Sequence, residues 1–133
     1  MTIDDSRSKT MRAVRSKDTK PELIVRRLLH SLGFRFRLHR RDLPGSPDLV
    51  FPGRHKVIFV HGCFWHGHDC SRGARVPKTN QVYWTDKVKR NRERDERSHR
   101  LLSELGWTTC VVWECEIKDR VRLTDRVLSF LND

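Results

Sequence analysis

The sequence predicts one α/β domain, a mixed sheet covered by helices on both faces. Three observations predict it. The 133-residue chain is 36% hydrophobic, enough for one modest core within the roughly 100–200 residues of a single domain. Its apolar positions switch between helical spacing and strand alternation. The apolar run Val57-Ile58-Phe59-Val60 reads as a buried strand near the centre.

The elements follow in order. Residues 1–17 are a basic arm, with a short helix expected at 7–16 from Met11 and Val14, three apart. Thr19-Lys20-Pro21-Glu22 reads as a capping box, with Thr19 as N-cap, Pro21 in the first turn and Glu22 reaching back. The helix runs to Leu32 on a stripe of Leu23, Ile24, Leu28, Leu29 and Leu32, and Gly33 ends it. Phe34 to Leu38 alternates as a half-buried strand. Leu43 to Pro47 is a turn, Asp48 to Phe51 a second strand, Pro52 to His55 a tight turn and Lys56 to His61 a third strand. A loop rich in Cys, His and Gly follows. Thr79 or Asn80 caps a long helix over 81–105, closed by Gly106. Trp107 to Trp113 is a strand, and a last helix covers 118–131 with Leu123, Val127, Leu128 and Leu131 inward. Alternating helices and strands of this kind build a sheet covered on both sides. No internal repeat is visible in these residues, and a single domain over 1–133 is expected.

Charge narrows the partner. With 28 Lys+Arg and 17 Asp+Glu the net charge is +11, and residues 1–41 alone hold 12 basic and four acidic residues, a net +8. Such an excess points to a polyanion, nucleic acid first and an anionic membrane a distant second. A second basic run, Lys87 to Arg100, is interleaved with acids. It reads equally as a solvated helix face or as a phosphate contact. The start is polar without an apolar segment, and no run approaches the ~20 residues of a membrane span. The expectation is a cytoplasmic protein.

Two of the four Cys and three of the seven His fall in the ten residues His61 to Cys70. In a reducing compartment, clustered thiols read as metal ligands before disulfides. Cys63, His68 and Cys70 with a distant fourth thiol suit a closed tetrahedral Zn²⁺ site of structural type. Cys115, just past a strand end, is the better fourth ligand, and Cys110, mid-strand among Thr109, Val111 and Val112, reads as core. His61 and His66 are left for chemistry.

Pro47-Asp48 opens a strand whose partner ends about a dozen residues later at Val60-His61. That layout resembles the Pro-Asp…(Asp/Glu)-x-Lys nucleases, in which the carboxylate holds Mg²⁺. The second acid and Lys are missing at 60–62. Glu116-Ile-Lys118 spells them, but 68 positions after Asp48, too far for a hairpin, and reads as a decoy.

Several blocks, in order, closely resemble the very-short-patch-repair (Vsr) DNA mismatch endonucleases. They are Arg7-Ser-Lys-Thr-Met11-Arg-Ala, Leu43-Pro-Gly45, Pro47-Asp48, Val57-Ile-Phe-Val-His-Gly-Cys-Phe-Trp-His66, Tyr83-Trp84-x-x-Lys87, Asn91-x-x-x-Asp95 and Leu105-Gly-Trp-(x)5-Trp113-Glu-Cys115. The resemblance implies a restriction-endonuclease-like fold and a nick in duplex DNA 5′ to the thymine of a T:G mismatch. It implies Mg²⁺ on Asp48 and the Val60 carbonyl. His61 and His66 are then the general acid/base and phosphate-contacting imidazoles, Asp95 orients a histidine or a water, and Glu22 lies by the waters of the metal. It places structural zinc on Cys63, His68, Cys70 and Cys115. Phe64, Trp65 and Trp84 become base-stacking wedges, with Met11 approaching from the other groove and Lys87 and Asn91 on the helix face of Asp95. The expected partner is double-stranded DNA with a T:G mismatch, read by a monomer in the bacterial cytoplasm at the nucleoid, with repair-pathway proteins as further expected partners. Position 60 is Val where some relatives carry Thr, which Val can replace if the ligand is the carbonyl. The competing readings are a non-catalytic zinc-containing DNA-binding module and, more weakly, a His-metal-finger nuclease.

Overall fold

The computed structural model describes residues 19–63, 66, 68, 70 and 80–133. The expected helix at 7–16 with Met11, and the wedge candidates Phe64 and Trp65, lie outside the described residues.

Helix α1 covers Lys20–Ser31. Thr19 caps it as expected, its hydroxyl accepting the Glu22 N–H at 3.3 Å. The reciprocal half of the capping box is replaced, because the Glu22 carboxylate turns inward to His39. Gly33, at φ +90°, ends the helix. Its N–H donates to the His30 carbonyl, and the Phe34 N–H donates to that of Leu29, both at 3.0 Å. This Schellman closure satisfies carbonyls the helix leaves open. It also explains why strand β1 is only Arg37–Leu38 instead of the predicted 34–38. Phe34 has given its N–H to the helix cap. Phe34 and Phe36 still pack on the core, through edge contacts to Phe51.

Strands β2 (Leu49–Phe51), β3 (Lys56–His61) and β4 (Thr108–Trp113) complete a sheet in the order β1-β2-β3-β4. The first two pairings are antiparallel, and β3 runs parallel to β4. A parallel pair needs a crossover, and helix α2 (Gln81–Glu104) supplies it. Asn80 precedes α2 with φ 58° and makes no side-chain cap bond, so the expected cap holds by position only. Gly106, at φ +87°, repeats the Gly33 closure, with Trp107 N–H donating to Leu102 at 2.9 Å. After β4 the chain makes a 3-10 turn over Glu114–Lys118, and helix α3 therefore begins at Arg120, running to Asn132. Asp119 caps it on the Arg122 N–H at 3.1 Å.

Both sheet faces are covered, as the strand alternation requires. Leu49, Phe51, Ile58, Cys110 and Val112 pack against Val25 and Leu29 of α1 and Leu123, Val127 and Leu131 of α3. Val50, Val57 and Phe59 face the other way, onto Leu43 and Leu102 of α2. A fully buried Leu or Ile here contributes roughly 1.5–3 kcal/mol. No helix among the described residues is long and apolar enough to cross a membrane.

The turn before β2 is pinned to α2. Gly45 has φ +77°, and a Cβ there would stand 2.8 Å from the Ser98 Cβ and 3.2 Å from the Phe59 ring. Gly45→Ala therefore meets two obstacles, a left-handed backbone and a closed space. It is expected to destabilise the fold by about 2–4 kcal/mol, read as a lower urea midpoint at unchanged slope.

Candidate functional site

Four polar or charged side chains are buried among the described residues: Glu22, Asp48, His61 and Ser98. Burying an unpaired carboxylate is expensive, so each acid must have compensation. Following that compensation outlines the site.

Asp48 begins where backbone pairing of β2 to β3 stops. Leu49 faces Ile58, so the ladder carried two residues further would set Pro47 opposite Val60. Pro47 has no N–H to offer the Val60 carbonyl. The Val60 N–H, for its part, donates to the Asp48 carboxylate at 2.7 Å. In a strand the N–H and C=O of one residue project to the same side, so the Val60 carbonyl faces this pocket too. On the other flank Leu38 faces Leu49, and His39, one step on, donates its N–H to the Asp48 carbonyl at 3.1 Å. The His39 Nε2 lies 3.0 and 2.9 Å from the two oxygens of Glu22. Glu22, His39 and Asp48 bring ligand-type atoms within 4.8 Å of one another. Burial pushes the Asp48 carboxyl up to about 8; the Val60 N–H opposes this and the Glu22 carboxylate adds to it. Two buried carboxylates in mutual repulsion beside a strand-end carbonyl are a donor set that fits a hard dication.

The second cluster stands at the end of β3. The His61 and His66 rings are stacked, with centroids 3.7 Å apart and planes 5° from parallel. His66 Nδ1 lies 2.6 Å from an Asp95 oxygen. His61 is pushed down to about 3, first by burial and then by His66, with Asp95 opposing. It is therefore a neutral imidazole near neutral pH. Its Nδ1 is buried without a hydrogen-bond partner, and so is Nε2 of His99 on α2.

Cys63, His68, Cys70 and Cys115 form the third cluster, their ligand atoms also within 4.8 Å of one another. Cys115 Sγ is 3.6 Å from His68 Nδ1. All the cysteines are free thiols. Burial pushes Cys63 up to about 12 and raises Cys115 as well. Ionised thiolates here need a cation beside them, and this S₃N donor set fits a zinc-type ion. Cys110 stays apart, buried in the core as expected.

Trp113 joins the last two clusters. Its ring stacks on His68 at 4.2 Å and meets His61 edge-on at 5.3 Å. Sequence reasoning gave Trp113 a strand end and a place in a shared block but no contact, and passed over His39 and His99 altogether. A single histidine in a basic stretch carries no signal until its neighbours in space are known.

Lys87, Asn91 and Asp95 are half-buried, with exposed residues between most of them, as one face of α2 should be. Trp84 is half-buried one turn earlier, edge-on to the exposed Tyr83 ring. Glu116 is committed elsewhere. It accepts the Trp113 N–H at 2.9 Å and pairs with Arg126, which fits the decoy reading of Glu116-Ile-Lys118.

A family model described as DNA mismatch endonuclease Vsr matches residues 2–72. The chain is 54% identical to the type II nicking enzyme V.XorIIP of Xanthomonas oryzae pv. oryzae, over 92% of this chain and 89% of that protein. It is 44% identical to the DNA mismatch endonuclease Vsr of Escherichia coli K12, over 93% and 79% respectively. With the type II nicking enzyme V.NmeAIP of Neisseria meningitidis serogroup A the identity is 41%, over 91% and 86%.

The depressed His61 makes a pH prediction. Below about pH 6.5 the unfolded chain binds a proton at this residue that the folded chain refuses. Stability from His61 is therefore present above about 6.5 and is lost as pH falls toward 3. In histidine NMR titrations the His61 ring signal should stay flat from about pH 8 to 5, where an ordinary histidine titrates.

Proposed function

The chain belongs to the DNA mismatch endonuclease Vsr family, and from that premise we propose that it nicks duplex DNA 5′ to the thymine of a T:G mismatch by Mg²⁺-dependent hydrolysis. The observation that carries this reading is the Asp48 pocket. It sets two buried carboxylates and the end of β3 together, next in chain to His61, which stacks on His66.

Asp48 and the Val60 carbonyl would hold Mg²⁺, with Glu22 beside them. When bound, the ion supplies Lewis-acid stabilisation of charge on the phosphate and lowers the proton affinity of a nearby water. The residues do the rest. Asp95 accepts the Nδ1–H of His66 and so leaves Nε2 as the proton-accepting nitrogen. His66 would then take the proton of the attacking water as the new P–O bond forms, while the P–O bond to the departing sugar oxygen breaks and that oxygen is protonated from solvent. His61, neutral and buried, suits a hydrogen bond to the phosphate better than proton delivery. Glu22 and Asp48 repel any second anion, which favours the metal-loaded state as the one that admits a phosphate.

Zinc on Cys63, His68, Cys70 and Cys115 would be structural, since four protein ligands leave no open position. It would also fix Cys63, and with it the chain between His61 and His66. The mixed sheet with Asp48 opening one central strand supports a restriction-endonuclease-like core. Base stacking by Phe64, Trp65 and Trp84 would contribute roughly 1–3 kcal/mol per base against unstacking at the mismatch. Met11 would enter from the opposite groove, and Lys87 and Asn91 would meet the backbone. The +11 charge suits a duplex partner, bound by a monomer working in the cytoplasm at the nucleoid.

The direct test is a labelled T:G duplex with Mg²⁺ or with EDTA. Nicking should require the ion, and Asp48→Ala should lower it on the order of 10²–10³-fold while duplex binding persists. Product from neither arm would favour a zinc module that only binds DNA. For the thiol cluster, metal analysis should find about one zinc per chain; Cys115→Ser should lose it and Cys110→Ser should keep it.

A further inference from the structure

We propose that His39 is a positioning residue for the metal pocket, its Nε2–H gripping both oxygens of Glu22 so that this carboxylate stays turned toward Asp48. The proposal rests on reading the Asp48 pocket as a divalent-cation site.

Glu22 has other places to go. As the third residue after the N-cap, it would ordinarily reach back to the Thr19 N–H. Arg26, one turn on, offers a guanidinium 3.4 Å away on a more exposed flank. Glu22 is only 1% exposed, and it faces a second buried carboxylate that repels it. Something must hold it inward. His39 does so with an almost symmetric grip, 3.0 Å to one oxygen and 2.9 Å to the other.

The backbone fixes His39 for this task. It stands opposite Asp48 just past the last β1–β2 pair, and its N–H donates to the Asp48 carbonyl. Its φ of 49° is left-handed, a conformation that a non-glycine residue keeps only where its surroundings impose it. One residue thus touches both acids, Asp48 through its backbone and Glu22 through its ring.

The same geometry argues against His39 as a ligand. An ionised carboxylate offers only acceptors. A nitrogen equidistant from two of them is a donor carrying its proton, so its lone pair is not free for a metal. Partners of this kind orient groups at a metal site, and their loss typically lowers metal affinity 10–100-fold.

The test follows Mn²⁺ binding to the full chain without DNA, by the EPR signal of free Mn²⁺, with Asp48→Ala as the control that abolishes it. His39→Ala should weaken Mn²⁺ binding about tenfold or more. His39→Gln, whose amide N–H can still donate to Glu22, should regain most of that loss. Zinc content and duplex affinity in EDTA should stay near wild type, while the melting temperature falls in His39→Ala, which strips a partner from buried Glu22, and recovers in His39→Gln. In a double-mutant cycle with Glu22→Gln the two losses should overlap instead of adding. If His39→Ala fails to fold, His39→Phe keeps the ring without the donor and replaces it. Wild-type Mn²⁺ affinity in His39→Ala overturns the proposal, as does a His39→Gln as defective as His39→Ala. Absence of Asp48-dependent Mn²⁺ binding overturns it too. A wild-type chain that binds Mn²⁺ through Asp48 and never nicks a T:G duplex overturns the nuclease reading alone.

Discussion

The bond from the Val60 N–H to the Asp48 carboxylate holds the working end of this molecule together. Backbone pairing between β2 and β3 runs out at Leu49–Ile58, and the next residue in phase is a proline, which has no N–H for the Val60 carbonyl. The Val60 N–H goes to a side chain. The substitution has consequences on both strands. It buries a carboxylate at the head of β2 and directs the end of β3, with His61, to the same place. Had residue 47 been able to donate, the Val60 carbonyl could have been paired by main chain and withdrawn from this pocket.

Around that bond the core is apolar, and the polar exceptions are compensated one by one. Glu22 meets His39, Asp48 meets Val60, and His61 stays neutral. Ser98 is buried because Gly45 presses on it. Low dielectric makes every one of these pairings stronger and every failure more costly. The site is therefore rigid for the same reason that the core is.

Two donor chemistries sit side by side without mixing. The carboxylates and the strand-end carbonyl are hard oxygen donors, while the thiol cluster is soft. Trp113 lies between them, stacked on His68 and edge-on to His61. Its ring gives the thiol cluster a mechanical hold on the histidine pair.

The sequence by itself determined the local elements and the nature of the donors. Thr19, Gly33 and Gly106 mark helix ends because capping depends on near neighbours. The spacing of Cys63, His68 and Cys70 spoke for metal because few other uses explain it. Motifs shared with a family added Asp48, His66 and Asp95, whose spacings alone were ambiguous. Tertiary structure alone decided what faces what. The Glu22 carboxylate left the helix cap for His39, Phe34 left the strand for a helix closure, and Trp113 became a bridge. His39 and His99 carried no signal, since a lone histidine means nothing until its partners from elsewhere in the chain are set against it. Caps and ligand spacings act over a few residues and can be read in order. A buried carboxylate is answered by residues 12 and 17 positions away, and only the folded chain brings them within a hydrogen bond.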